Sequence, residues 1–143
     1  MRLVPATLVI ALALGATVGI ASDATDPTVR ARQTLMGTLG MNAKVLGDMA
    51  GGKTAFDAAA AAAAKQALIA ASSEIPATFE MQASDPATKA KPEIWSNFAD
   101  FTAKAQVLNA AATALDPASL ETVQAGMGAI GGACADCHKT WRN

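Results

Sequence analysis

Five consecutive residues, Cys134-Ala135-Asp136-Cys137-His138, hold both cysteines and the single histidine of this 143-residue chain. Cys-x-x-Cys-His is the attachment sequence for a c-type haem: the two thiols form thioethers with the vinyl groups, and the imidazole becomes the proximal iron ligand. On a helix, positions i, i+3 and i+4 share a face, so one flat cofactor can meet all three side chains. Other chemistries use the same residue types. A thioredoxin-type dithiol sits where a strand opens into a helix, and nothing upstream of Cys134 reads as a strand. A zinc site needs a fourth ligand, and the chain has no further Cys or His; Asp136 would make an unusual one. A plain disulfide between Cys134 and Cys137 is the third competitor, because the compartment reads as oxidising.

The elements that must carry these residues read as four helices. Asp26-Pro27 is a cap followed by proline at the first helical position, and Gly51-Gly52 closes that helix. Thr54 with Asp57 three residues on opens a second helix, which Pro76 predicts to end near Ile75. A third is predicted from about Pro92 to Ala114. Asp116-Pro117 repeats the cap signal and opens the fourth, which carries the pentad almost to the C-terminus.

Apolar spacing then assigns faces. The third helix has a seam of Ile94, Phe98, Phe101, Ala105, Leu108, Ala112 and Leu115, and the fourth one of Leu120, Val123, Met127, Ile130, Cys134, Cys137 and Trp141. The cysteines therefore lie on the core face. Gly126, Gly128, Gly131 and Gly132 each cost roughly 1 kcal/mol against alanine in a helix, which predicts close approach by a haem or a neighbouring helix, or else a bent helix. The first helix carries a bulky seam of Leu35, Leu39, Leu46 and Met49. Beside it runs a small one of Met36, Gly40, Ala43, Gly47 and Ala50, a groove with room for a flat ring. The connection from about Ile75 to Lys91 reads as loop, with a turn at Asp85-Pro86, either solvated slack or a partner-facing segment.

Residues 1–21 read as an export leader: Arg2, an apolar run from Leu3 to Ile20, and small residues at Gly19 and Ala21; cleavage after Ala24 is the near alternative. An uncleaved anchor is the competing reading, disfavoured by Pro5, Gly15 and Gly19. Residues 22–143 form a single domain, long enough for a core. Removing Arg2 from 11 basic residues against 12 acidic ones leaves a net charge near −2, which argues against a nucleic-acid role, since that would want a basic stripe. The run Ala58–Ala64 is strong helix-forming sequence, too short to span a bilayer. Lys89, Lys91 and Lys104 read as solvated charges rather than a docking patch.

With its pentad on the last of four helices, the chain resembles the class II c-type cytochromes, the cytochrome c-prime family. The resemblance covers Arg32-Gln33, Phe56-Asp57-Ala58, Lys91-Pro92-Glu93-Ile94-Trp95, the pentad and Arg142. It implies an all-α, antiparallel up-down-up-down four-helix bundle with one covalent haem c. It further implies that Arg142 sits beside the proximal imidazole of His138 and that Arg32 and Gln33 lie near the haem propionates.

The distal position then decides the function. In cytochromes c-prime proper, the residue four after the arginine of the first helix is usually a bulky non-ligand; the iron is five-coordinate and small gases enter. Here that residue is Met36, and the stretch Met36 to Asp57 is more similar to the low-spin branch, where this methionine ligates iron. Spacing alone leaves Met36 open between an iron ligand and a core methionine. The resemblance implies a periplasmic electron-transfer protein, not an enzyme, with His138 and Met36 as ligands and with redox partner proteins. A five-coordinate protein binding nitric oxide or carbon monoxide is the alternative. After leader cleavage no membrane insertion is expected, and many relatives dimerise through their first two helices.

Overall fold

The computed structural model describes residues 24–143, so the leader and its cleavage after Ala21 lie outside the described residues. Four long helices, α1 (Pro27–Ala50), α2 (Ala58–Phe79), α4 (Phe98–Ala114) and α5 (Leu120–Trp141), and one short turn, α3 (Glu93–Ser96), make up the fold. The main contacts join α1 to α2, α2 to α4, α4 to α5 and α5 back to α1. That closed ring is the four-helix bundle expected from the seams. Leu46, Leu68, Ile94, Leu115, Val123 and Ile130 are fully buried at its centre, each contributing about 1.5–3 kcal/mol of apolar burial. The alanines of α2 serve packing as well as propensity. Ala61, Ala64 and Ala71 are buried, and their small side chains let the neighbouring helices approach.

The cap at Asp26 forms as predicted, its carboxylate accepting from the amides of Thr28 (2.7 Å) and Val29 (3.1 Å). Three boundaries differ from expectation. The second helix does not stop before Pro76 but continues to Phe79. Proline removes a helical donor there, yet the last turn is held from outside. Arg32 donates to the carbonyls of Thr78 and Met81, and Trp95 donates its indole N–H to Phe79 O at 2.8 Å. The third predicted helix is broken at Asn97, whose backbone (φ −131°, ψ 39°) leaves the helical region. Its amide group bonds back to Glu93 O and Ser96 Oγ, and the apolar seam continues across the break. The last helix is capped by Ser119 in a reciprocal capping box with Thr122, two residues beyond Pro117.

Packing against a neighbouring helix or loop side chain accounts for one glycine of the α5 cluster. A Cβ at Gly126 would stand 3.1 Å from the buried Leu115 side chain, whereas Gly128, Gly131 and Gly132 face open space. Leu120, placed on the apolar seam by its spacing, is exposed.

The connection between α2 and α3 is not slack. Asp85 is buried, and its Oδ2 accepts from Thr25 N (2.8 Å), Thr25 Oγ1 (2.9 Å) and Asp26 N (2.9 Å), while Oδ1 accepts from Ala87 N (2.7 Å). One carboxylate thus ties the loop to the start of α1. The donated N–H groups, that of Asp26 foremost and then that of Ala87, hold the carboxyl down to about 2. A depressed folded-state value means stability present above the ordinary carboxylate range and lost as pH falls toward about 2. Asp85→Asn, which cannot accept at both positions, is therefore expected to lower the thermal midpoint at neutral pH. The gap to the parent protein should close as pH approaches 2, and a gap constant with pH in thermal melts would refute the role.

Candidate functional site

Between α1, α4, α5 and the loop before α3 lies a cavity of about 620 Å³. That is within the range of cofactor sites, about 300–1,000 Å³. All seven residues expected at a haem site line it: Arg32, Gln33 and Met36 from α1, Cys134, Cys137 and His138 from α5, and Arg142 just beyond. The cysteines stand half-buried as free thiols, their pKa values raised chiefly by burial. Burial, and secondarily the charge of Arg142, lowers the proton affinity of His138. Both effects favour the neutral imidazole that metal ligation needs.

The small seam of α1 forms the facing wall. Met36 is half-buried against the core, and Gly37 and Gly40, which also line the cavity, have nothing within 4 Å of where a Cβ would stand. Met41 and Met81 are 65% and 71% exposed, Met49 is buried in the core, and the methyl of Met127 packs against Gly47. Among the methionines of the described residues, Met36 alone lines the cavity.

Arg32 is buried, although an arginine on a bundle helix ordinarily lies on the solvent face. It is 3% exposed, with its guanidinium carbon 5.1 Å from the Phe79 ring centre and 4.9 Å from that of Trp95. Gln33 reaches the loop, donating to Ala87 O at 3.2 Å.

Two parts of the site had no clear signal in the sequence. Ala87, Thr88, Lys89 and Ala90 form a wall of the cavity. They are fixed there by an antiparallel bridge between Ala90 and Arg142, flanked by Lys91 N to Trp141 O (3.0 Å) and Asn143 N to Lys89 O (2.9 Å). Nothing in the apolar pattern announces so short a pairing. Of the lysines read as solvated, Lys89 is exposed, whereas the other two have partners. Lys91 Nζ donates to Thr140 O at 3.1 Å, Lys104 pairs with Asp136 at 2.6 Å beside Cys137, and Lys89 and Lys104 line the cavity.

The cavity fits a haem on its own chemistry. Two thiols and a neutral imidazole enter from one helix, and glycines flatten the opposite wall. Two buried donors, Arg32 Nη1 and Trp141 Nε1, have no protein partner. A helical bundle whose last helix brings two thiols and an imidazole into one cavity is a c-type cytochrome of the bundle class. The chain belongs to the cytochrome c' family, whose family model, Cytochrome C', matches residues 27–142. It therefore carries one covalent haem c, for which Cys134 and Cys137 are its only thiols.

The chain is 36% identical over 118 residues to cytochrome c-556 of Agrobacterium fabrum, covering 80% of each protein. Its fold is similar to that of cytochrome c' from Rhodopseudomonas palustris, with a TM-score of 0.73 at 28% identity, covering 82% of this chain and 97% of that one. An NMR-validated structural model of oxidised cytochrome c556 from R. palustris matches equally well, with a TM-score of 0.72 at 28% identity and coverage of 82% and 96%. Proteins of both names share this bundle to the same degree, so what distinguishes them lies in side chains.

Proposed function

We propose that the protein is a periplasmic single-electron carrier in which His138 and Met36 are the two axial ligands of a six-coordinate, low-spin haem iron. The observation that carries this reading is Met36, the one methionine of the described residues on the cavity wall, set in a stripe of small side chains. When bound, the haem supplies a one-electron couple. Cys134 and Cys137 anchor it, His138 gives the proximal nitrogen, and Met36 gives a soft sulfur that favours the ferrous state. Arg142, next to His138, helps keep the imidazole neutral. Arg32 and Gln33 face the propionate side.

Export is the assignment that residues 1–21 support. Among the described residues no helix is long and apolar enough to cross a membrane. Redox proteins are the partners, and association of two copies through α1 and α2 follows the habit of the family.

Absorption spectra in both oxidation states test the ligand set. A low-spin ferric spectrum with a methionine–iron charge-transfer band is expected. A high-spin ferric spectrum, with carbon monoxide binding the ferrous protein and displacing no ligand, would instead establish a five-coordinate gas-binding protein.

A further inference from the structure

Among the described residues, only two buried side-chain polar atoms lack a hydrogen-bond partner, Nη1 of Arg32 and Nε1 of Trp141. Both residues line the same cavity, and they are 3% and 7% exposed. Arg32 spends its other nitrogens on the end of α2, and the second tryptophan, Trp95, spends its N–H on Phe79 O. An unpaired buried donor has given up its water with nothing in return. Two of them in one cavity therefore call for acceptors brought by the occupant.

A haem brings only one kind of strong acceptor, its two propionate carboxylates. The carboxylate-facing role of Arg32 is already implied by the family pattern, whereas Trp141 has no assigned role. We propose that the indole N–H of Trp141 donates a hydrogen bond to a haem propionate, making Trp141 a positioning residue for the cofactor. This rests on the covalent haem and is independent of whether Met36 ligates iron.

The geometry suits such a role. Trp141 lies three residues after His138, close to one helical turn along α5, so its donor is rigidly related to the proximal ligand. The indole is held edge-on to Phe101, with ring centres 6.3 Å apart and an interplanar angle of 79°. Its backbone carbonyl is tied to Lys91 N. The orientation of the donor is thus set before the haem arrives. Besides the two thiols that the haem takes up, Cys134 and Cys137, the charged and titratable groups facing the same cavity are Arg32 on α1, Lys89 in the loop, Lys104 on α4, and His138 and Arg142 at the end of α5; among the described residues no Asp or Glu lines it. That cationic surround favours ionised propionates, and the neutral indole adds direction rather than charge.

Two measurements on the haem-bound protein test the assignment. The first is ¹⁵N NMR of the tryptophan indoles in the ferrous, diamagnetic state, carbon monoxide being added if the iron is five-coordinate. The Trp141 N–H is expected to exchange slowly with solvent and to resonate downfield, as that of Trp95 should. The second is the reduction potential against pH for Trp141→Phe. Loss of the donor should raise the pH at which the propionate titrates by about one unit, roughly a tenfold change in its proton affinity. A merely structural role for the ring would leave that inflection in place. A freely exchanging Trp141 N–H overturns the proposal, and so does a potential–pH curve that superimposes on that of the parent protein. Should the variant fail to mature, the NMR measurement on the unmodified protein decides.

Discussion

Met36→Ala is expected to turn the haem from low-spin to high-spin and to lose the methionine–iron charge-transfer band. Among the described residues no other methionine can take over. Met41 and Met81 point to solvent, Met49 lies in the core, and Met127 packs on Gly47. Alanine offers no donor, and Gly37 and Gly40 beside it leave space for a small ligand. The reduction potential should fall, because a soft thioether that stabilises Fe(II) has gone. Carbon monoxide affinity of the ferrous protein should rise. If Met36 holds the sixth position in about 99% of molecules, vacating it raises the apparent affinity about a hundredfold. The fold should survive, since truncating a half-buried methionine costs about 1–2 kcal/mol, less than a fully buried one. Circular dichroism checks that, and optical spectra with a carbon monoxide titration check the rest. Unchanged spectra would return Met36 to the role of a core side chain and leave the gas-binding reading standing.

What the sequence disclosed was mostly what is local or periodic. The cofactor was legible because its chemistry is compressed into the five residues from Cys134 to His138. The bundle was legible because seams such as Phe101, Ala105, Leu108 and Ala112 repeat at helical spacing and are buried. Pro76 misled because the forces that carry α2 past it come from Arg32 and Trp95, each far away in sequence. Of the four α5 glycines only Gly126 is accounted for by a neighbouring side chain, that of Leu115, because a cost in helix propensity does not say which neighbour it serves. The loop wall at residues 87–90 was hidden for the opposite reason. It is held by backbone bonds to the C-terminal residues and by the carboxylate of Asp85, and neither leaves an apolar period.

The same contrast separates the site residues. Cys134, Cys137 and His138 announce themselves by type and spacing. Arg32 and Trp141 do not, because an arginine on a helix and a tryptophan on a seam each have an ordinary explanation. Only the three-dimensional structure shows that each is buried in the same cavity with an N–H group left over. The chain as a whole is slightly acidic, yet the charged side chains lining its cavity are cationic. A cofactor carrying two carboxylates accounts for that asymmetry.

Arg32→Ala is expected to be the most destabilising of the substitutions considered. The guanidinium lies over Phe79 and Trp95, contacts worth about 0.5–2 kcal/mol each. Its hydrogen bonds to the carbonyls of Thr78 and Met81 close the end of α2, and bonds from a charged group contribute about 1.5–3 kcal/mol each. Burial opposes these gains. Desolvation lowers the proton affinity of Arg32, only partly offset by Asp26, although a guanidinium stays charged at any relevant pH. The net loss should be about 3 kcal/mol, a fall of roughly 10 °C in thermal midpoint for a domain of this size. Arg32→Lys should recover less than half of it, since an ammonium keeps the charge but loses the planar fork and the stacking. Hydrogen exchange adds a local readout. In the alanine variant the amides between Pro76 and Glu80 should lose protection first, because Trp95 holds only the carbonyl of Phe79 and those of Thr78 and Met81 would lose their side-chain donor. Thermal melts within 1 kcal/mol of the parent protein, with the end of α2 still protected, would show that Pro76 is tolerated without Arg32.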